Sequence, residues 1–399
     1  MPLRTLLPWL FAILVGLGGV FLIDALLGSP APALRQTKST SSLLATTTVL
    51  SGLASTSSHP TATTTPIHPS ATQATVAPTG TEETASAAIP QSRSGGAANQ
   101  AARIQNPYPN PPEPAVQVNA DARSALVNIL CLSQGSIRPI SGSGVIIDPR
   151  GVILTNAHVA QYVLLSESPN INLSCEIRSG SPARNAWKAS VLYLPPVWVE
   201  AHANEINSQH PTGTGEHDYA LLLIDGSSAN APLPSQLSGG FPFVPVDTRN
   251  GIGFVGDQVL VATYPAEFIG GIQTELDLYA ASSITTVGQL LTFGQNTVDA
   301  ISLGGIIEAQ AGSSGGEVVN PWGRLIGVVT TTTDASTTAG RDLRAITLSY
   351  INTDLKNQSG SDLSTFLTGD VTDEEAQFNA NVAPSLLSQY FSQLEGTQN

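Results

Sequence analysis

Hydrophobic and polar positions divide the 399-residue chain into four stretches. Leu6 to Ile23 is a run of eighteen residues without a charged side chain. Residues 29–118 are dominated by Ser, Thr, Ala and Pro and carry too few apolar side chains to build a core. From 119 to about 355, short β-branched and aliphatic runs are punctuated by Gly, Pro, Asn and Asp, which is the pattern of antiparallel strands joined by turns. In the remaining segment, 356–399, Leu386, Leu387, Tyr390, Phe391 and Leu394 fall on one face of a helix, and Thr372-Asp373-Glu374-Glu375 has the form of a capping box. That helix either packs on the strands or docks a partner.

Within the strand-rich part, Ser124 to Leu132 alternates Val127, Ile129 and Cys131 with other residues. Gly142 to Leu154 reads as two strands around a turn at Asp148 to Gly151, followed by Thr155-Asn156-Ala157-His158-Val159. Ala186 to Leu194 predicts a strand, and 200–216 a polar loop with His202 and His210. His217-Asp218 then opens the strand Tyr219 to Ile224. Gly256 to Pro265 and Ile301 to Leu303 add strands, and Gly316 to Val329 predicts a hairpin around Asn320-Pro321-Trp322-Gly323.

Length changes the reading of the first stretch. Eighteen helical residues run to roughly 27 Å, enough to span a bilayer. With Arg4 and the amino terminus on one side, the expectation is a signal anchor over residues 1–28, embedded through 6–27, with the N-terminus cytoplasmic and the rest outside the cell membrane. The alternative is a cleaved signal peptide, given the small residues from Ser29 to Ala33, and a secreted product. Residues 29–118 form a disordered linker with an r.m.s. reach of roughly 50 Å as a flexible coil. A formal net charge of −14 with only 12% charged residues leaves no basic surface for nucleic acid.

Candidate chemistry centres on Gly312-Ser313-Ser314-Gly315-Gly316. Small residues at every position let the backbone approach a substrate and turn N–H groups toward a developing oxyanion. The stretch also fits the nucleophile elbow Gly-x-Ser-x-Gly, but there the histidine follows the serine. All six histidines (His59, His68, His158, His202, His210, His217) precede Ser314, which excludes the elbow; the order His, Asp, Ser is that of the chymotrypsin-like fold.

These residues carry a family resemblance. Gly142-Ser143-Gly144 with its strand and Asp-x-x-Gly turn, then Thr155-Asn156-Ala157-His158-Val159, resembles the histidine segment of trypsin-like serine peptidases, the bacterial HtrA/DegP-like branch in particular. Asp218-Tyr219-Ala220-Leu221-Leu222 is similar to the family's Asp-x-Ala-Leu-Leu, Gly256 to Pro265 to its Gly-Asp, strand, Tyr-Pro element, and Gly312 to Gly316 to its nucleophile loop. The resemblance spans about 124–352. It implies an all-β chymotrypsin-like fold: two six-stranded antiparallel barrels, about 119–235 and 236–355, forming a peptidase domain over 119–355. The residues left after it are too few for a PDZ domain.

The resemblance further implies a serine endopeptidase acting on polypeptides, which the expected anchor would hold outside the cell membrane, with Ser314 as nucleophile, His158 as base and Asp218 as its partner. Gly312 and Ser314 would supply the oxyanion-hole N–H groups. Ser313 stands where digestive relatives carry an aspartate that binds a new N-terminus, so activation by trimming is not expected. Glu308, six residues before Ser314, either lies at the floor of the substrate pocket, with Thr330, Thr331 and Thr332 as its wall, or is solvated. Cys131 and Cys175 flank the histidine segment and are expected to form a disulfide, two free thiols being the alternative. No metal site and no cofactor is expected. The rival function is a silent peptidase fold that binds polypeptide or cell-surface material through the same cleft.

Overall fold

The computed structural model describes residues 103–396, apart from positions 105, 136, 209–212, 295–296 and 334. The expected membrane span, most of the linker, His59, His68 and His210 lie outside the described residues.

Order begins earlier than the expected linker boundary. Residues 106–114 lie against the second half of the domain: the Tyr108 hydroxyl donates to Asp247, and its ring packs on Trp322 with centroids 5.1 Å apart. The Arg249 guanidinium sits 5.1 Å from the Tyr108 ring centroid, and the Trp322 indole N–H donates to the Asn110 carbonyl at 2.9 Å. Pro107, Pro109, Pro111 and Pro112 make the segment look like linker by composition. The same prolines leave less backbone freedom to lose, so one aromatic anchor and a few hydrogen bonds suffice to order it. Helix α1 (Ala115–Ala125) follows, burying Val118, Ala122 and Ala125, and the strand expected from Ser124 begins at Leu126.

Strands β1 (Leu126–Ser133), β2 (Ile140–Asp148) and β3 (Val152–Thr155) lead to helix α2 (Ala157–Ser166). Then come β4 (Leu173–Ser179), β5 (Arg184–Tyr193), helix α3 (Pro196–His202) and β6 (Ala220–Ser227). The six strands close a barrel in the order β1-β2-β3-β6-β5-β4. Cys131 and Cys175 face each other in the β1–β4 ladder and are disulfide-bonded.

The second half comprises β7 (Gln258–Thr263), helix α4 (Gly271–Leu276), β8 (Ala281–Thr286), β9 (Gln289–Leu291), β10 (Ala300–Gly304), β11 (Glu317–Val319), β12 (Leu325–Thr332) and β13 (Leu343–Thr347). Here the structure departs from a second closed six-stranded barrel: these strands form a seven-stranded sheet ordered β8-β7-β11-β12-β13-β10-β9. The edge strands β8 and β9 are separated only by Val287 and Gly288, so one bent run of chain joins the sheet's two edges. The curled sheet encloses its own core, with Val259, Val261, Ile301, Val318, Val329 and Ala345. Arg178 of β4, fully buried, donates to the carbonyls of Thr274 (2.9 Å) and Glu275 (2.9 Å), tying α4 to the first barrel.

Four helices end the described chain: α5 (Leu348–Ser359), α6 (Leu363–Thr368), α7 (Val371–Asn381) and α8 (Ala383–Gly396). They pack on the protein itself: α7 lies on β5 and β6, and α8 meets α2, α3 and α7, burying Leu386 and Tyr390. The cap of α7 is Asp370, which accepts from the Thr372 (3.0 Å) and Asp373 (3.4 Å) N–H groups, two residues before the expected capping box.

Candidate active site

Elements from both halves converge on three side chains. The β3 strand ends at Thr155, whose hydroxyl donates to the Ser143 carbonyl of β2 at 2.7 Å. Asn156 precedes α2 without capping it; its amide donates instead to the Asp218 carbonyl at 2.8 Å. His158 is therefore delivered at the second position of a helix whose entrance is tied to the loop carrying Asp218. The His158 backbone N–H donates to Asp218 Oδ1 at 3.0 Å, and its Nδ1 lies 2.8 Å from Oδ2. With Nδ1 engaged, Nε2 is the ring nitrogen left to take a proton.

Asp218 is 5% exposed. Burial works to raise its carboxyl, but the His158 charge, the two His158 N–H groups and the Thr330 hydroxyl outweigh it, so Asp218 titrates below the ordinary carboxylate range. For His158, burial works to lower the ring, while Asp218's charge and hydrogen bond prevail and raise it above the ordinary histidine value.

The nucleophile loop is pinned from the first barrel. Ser143 uses its N–H to bond the Ser314 carbonyl (2.7 Å) and its hydroxyl to bond the Gly312 carbonyl (2.8 Å). With both carbonyls turned toward β2, the peptide N–H groups of Gly312 and Ser314 have no hydrogen-bond partner among the described residues. Gly315 has φ +85°, and a Cβ there would lie 1.9 Å from the Ser143 carbonyl oxygen, so only glycine permits this approach. The two adjacent serines separate cleanly. Ser313 is buried, its hydroxyl 3.0 Å from that of Thr263, whereas Ser314 is partly exposed.

The expected substrate pocket is not assembled as read from sequence. Glu308 is 0% exposed, so it is not solvated, and its hydrogen-bond partner is the Ser283 hydroxyl (2.8 Å) rather than any of Thr330–Thr332. Solvent does not reach it, and the neighbouring Ala309 belongs to the core of the curled sheet. Burial raises the Glu308 carboxyl. Thr330 is also buried and donates to Asp218 Oδ2 at 2.7 Å, so it supports the acid instead of walling a pocket. Thr331 is half-buried and Thr332 exposed, at the end of β12.

Sequence reasoning missed the supporting roles of three residues: Ser143, Thr263 and Thr330, the last of which it places in the pocket wall. Only Ser143 carried a signal, the flanking glycines that mark close backbone approach within a strand. Among the described residues no group of three or more His, Cys, Asp or Glu is placed to hold a metal ion. His202 packs its ring on Trp198 and bonds that residue's carbonyl at 2.9 Å.

A closed barrel carrying a His–Asp couple, beside a curled sheet whose glycine-framed serine loop is pinned to that barrel, is the layout of serine peptidases. Residues 142–328 match the model of the trypsin-like peptidase domain, and this part of the chain belongs to that family of serine-type endopeptidases. The crystal structure of the serine endoprotease from Yersinia pestis is similar to this chain at 20% identity and a TM-score of 0.39, covering 62% of this chain and 68% of that one. No curated protein matches the sequence.

Proposed function

We propose that the chain is a membrane-anchored, extracytoplasmic serine endopeptidase whose nucleophile is Ser314, with His158 as general base and Asp218 as its orienting partner. The observation that carries this reading is the 2.8 Å contact between His158 Nδ1 and Asp218, which leaves Nε2 as the proton acceptor. Ser314 Oγ attacks the scissile carbonyl carbon while Nε2 takes its proton, and Asp218 stabilises the resulting imidazolium. The unpaired N–H groups of Gly312 and Ser314 receive the oxyanion of the tetrahedral intermediate. His158 returns the proton to the leaving amine as the C–N bond breaks. A water, deprotonated by His158, then releases the acyl group and restores Ser314.

Substrates are polypeptides. The burial of Glu308 against the Ser283 hydroxyl argues against a charged pocket floor for Arg or Lys, and the half-buried Thr331 and exposed Thr332 favour small or uncharged side chains. The apolar run Leu6 to Ile23 and Arg4 support anchoring through 6–27 with a cytoplasmic N-terminus. Recovery of the protein in the membrane fraction with Met1 retained tests this, and an N-terminus near Ala31 or Ala33 would show a cleaved signal.

A fluorophosphonate probe tests the chemistry. Labelling of the wild type and not of Ser314→Ala, with Ser313→Ala still labelled, is the expected result. A correctly folded wild type that takes no label would instead be the silent binding module.

A further inference from the structure

Asp218 is held on three sides, and two of them, Asn156 on its carbonyl and Thr330 on its carboxylate, have been described. The third hold is on the preceding residue. His217 has φ +57°, a left-handed conformation that a non-glycine residue keeps only where its surroundings impose it. Helix α5 imposes it. The Tyr350 hydroxyl accepts the His217 backbone N–H at 3.0 Å, and Asp354 Oδ2 lies 2.9 Å from His217 Nδ1. Gln358 Nε2 donates to the same Asp354 oxygen at 2.7 Å.

These polar contacts are not needed to dock the helix, because Leu348, Ile351 and Leu355 already bury its apolar face. Removing a carboxylate such as Asp354, 8% exposed, from water is costly, and its return is a fixed geometry at the residue it grips. That residue adjoins the candidate triad acid. A change in the backbone angles of His217 redirects the Cα–Cβ bond of Asp218, whose carboxylate must meet both N–H groups of His158.

We propose that helix α5 positions the triad acid: Asp354 and Tyr350 hold His217 in its left-handed conformation and thereby set the orientation in which Asp218 meets the His158 ring. This rests on Asp218 being the triad acid. His217 and Asp354 are positioning residues and touch no substrate. The groups around the His217 ring are Asp354, Tyr350 and Gln358 of α5 and Glu216 of its own loop, whose Oε1 is 3.8 Å from Nε2. Tyr219 and Tyr193, stacked at 6.1 Å, lie near Asp354 from the barrel side. The Asp354 hydrogen bond raises His217 above the ordinary histidine value.

The test uses the full chain, with active sites counted by fluorophosphonate titration so that turnover refers only to folded enzyme. In Asp354→Asn, kcat per titrated site should fall roughly tenfold with KM nearly unchanged, as expected when an orienting contact is lost. The acid limb of kcat/KM should move to lower pH, because a misaligned Asp218 supports the His158 proton less. His217→Asn keeps a residue tolerant of the left-handed conformation but loses the ion pair; added to Asp354→Asn it should cost nothing further. If Asp354→Asn fails to fold, Tyr350→Phe, which removes one hydroxyl, should show the same drop in kcat on a smaller scale. Wild-type kcat per site and an unmoved acid limb in the folded variants would overturn the proposal, leaving α5 a purely structural helix. Absence of Ser314-dependent labelling in the wild type would remove the triad assignment itself, and this proposal with it.

Discussion

The Thr330 hydroxyl, on the second sheet, donates to the same Asp218 oxygen that meets the His158 ring, at 2.7 Å. Asp218 enters from the first barrel, so the carboxylate is completed only when the two halves are packed together. Hydrogen bonds to a buried charge contribute about 1.5–3 kcal/mol. Thr330→Val, which keeps the shape and removes the donor, should lower kcat/KM by roughly 10- to 100-fold, mostly through kcat. Steady-state kinetics at matched thermal stability checks this; an unchanged kcat would show that the contact only fills space.

The His158–Asp218 pair makes both activity and stability depend on pH, and the His158 contribution to stability runs opposite to activity. His158 must be neutral to accept a proton, so kcat/KM should rise with pH through a value above the ordinary 6.5. The folded-state pKa of His158 is raised above its unfolded value. Its stabilising contribution is therefore fully present below the unfolded value and lost as pH climbs through the folded one. Asp218, depressed in the fold, contributes above its unfolded value of 3.8 and loses that contribution as pH falls through the folded one. In Asp218→Asn the acid limb of activity should move down and the residual rate fall by several orders of magnitude. A pH–rate profile with its limb still above 6.5 in that variant would contradict the coupling.

Glu317, directly after the nucleophile loop, is 0% exposed, and neither carboxylate oxygen has a partner among the described residues. Burial raises its carboxyl well above the ordinary 4.5. A raised folded-state pKa means that the fold binds the proton more tightly than the unfolded chain. Stability should therefore be greatest below 4.5 and decline with rising pH up to the folded value, by up to about 1.4 kcal/mol per pH unit. Glu317→Gln should remove that slope, so melting temperatures of the two proteins should diverge as pH rises. Parallel curves from pH 4 to 9 would mean that the carboxyl has partners in solution.

Reducing the Cys131–Cys175 bond releases a loop with a sequence separation of 44. In the chain-entropy model such a closure stabilises by about 4 kcal/mol. Because β1 and β4 remain paired through their ladder, Cys131→Ala/Cys175→Ala should still fold, with a melting temperature lower by several degrees, roughly 5–15 °C. Calorimetry of the double variant decides; no shift would mean that the unfolded chain is already held compact.

What the sequence determined by itself was local. Strand runs, turn glycines and the order His158, Asp218, Ser314 are all written in short stretches, because strand patterning, left-handed turns and a small-residue loop depend on neighbours in the chain. The opposed Cys131 and Cys175 follow once the strands are paired. Tertiary structure alone decided the supports. Ser143, Thr263, Thr330 and Asp354 are single hydroxyls or a carboxylate with no motif around three of them, and each acts on a residue at least 50 positions away. Contacts between separate elements leave no periodicity to read. The same holds for the errors. Composition makes 106–114 look like linker, and counting back from Ser314 leaves Glu308 free to be solvated, but a tyrosine anchored between Trp322 and Arg249 orders the first and burial beside Ser283 keeps solvent from the second. Both outcomes depend on which surfaces meet when the barrel and the sheet pack, and on the desolvation that packing imposes.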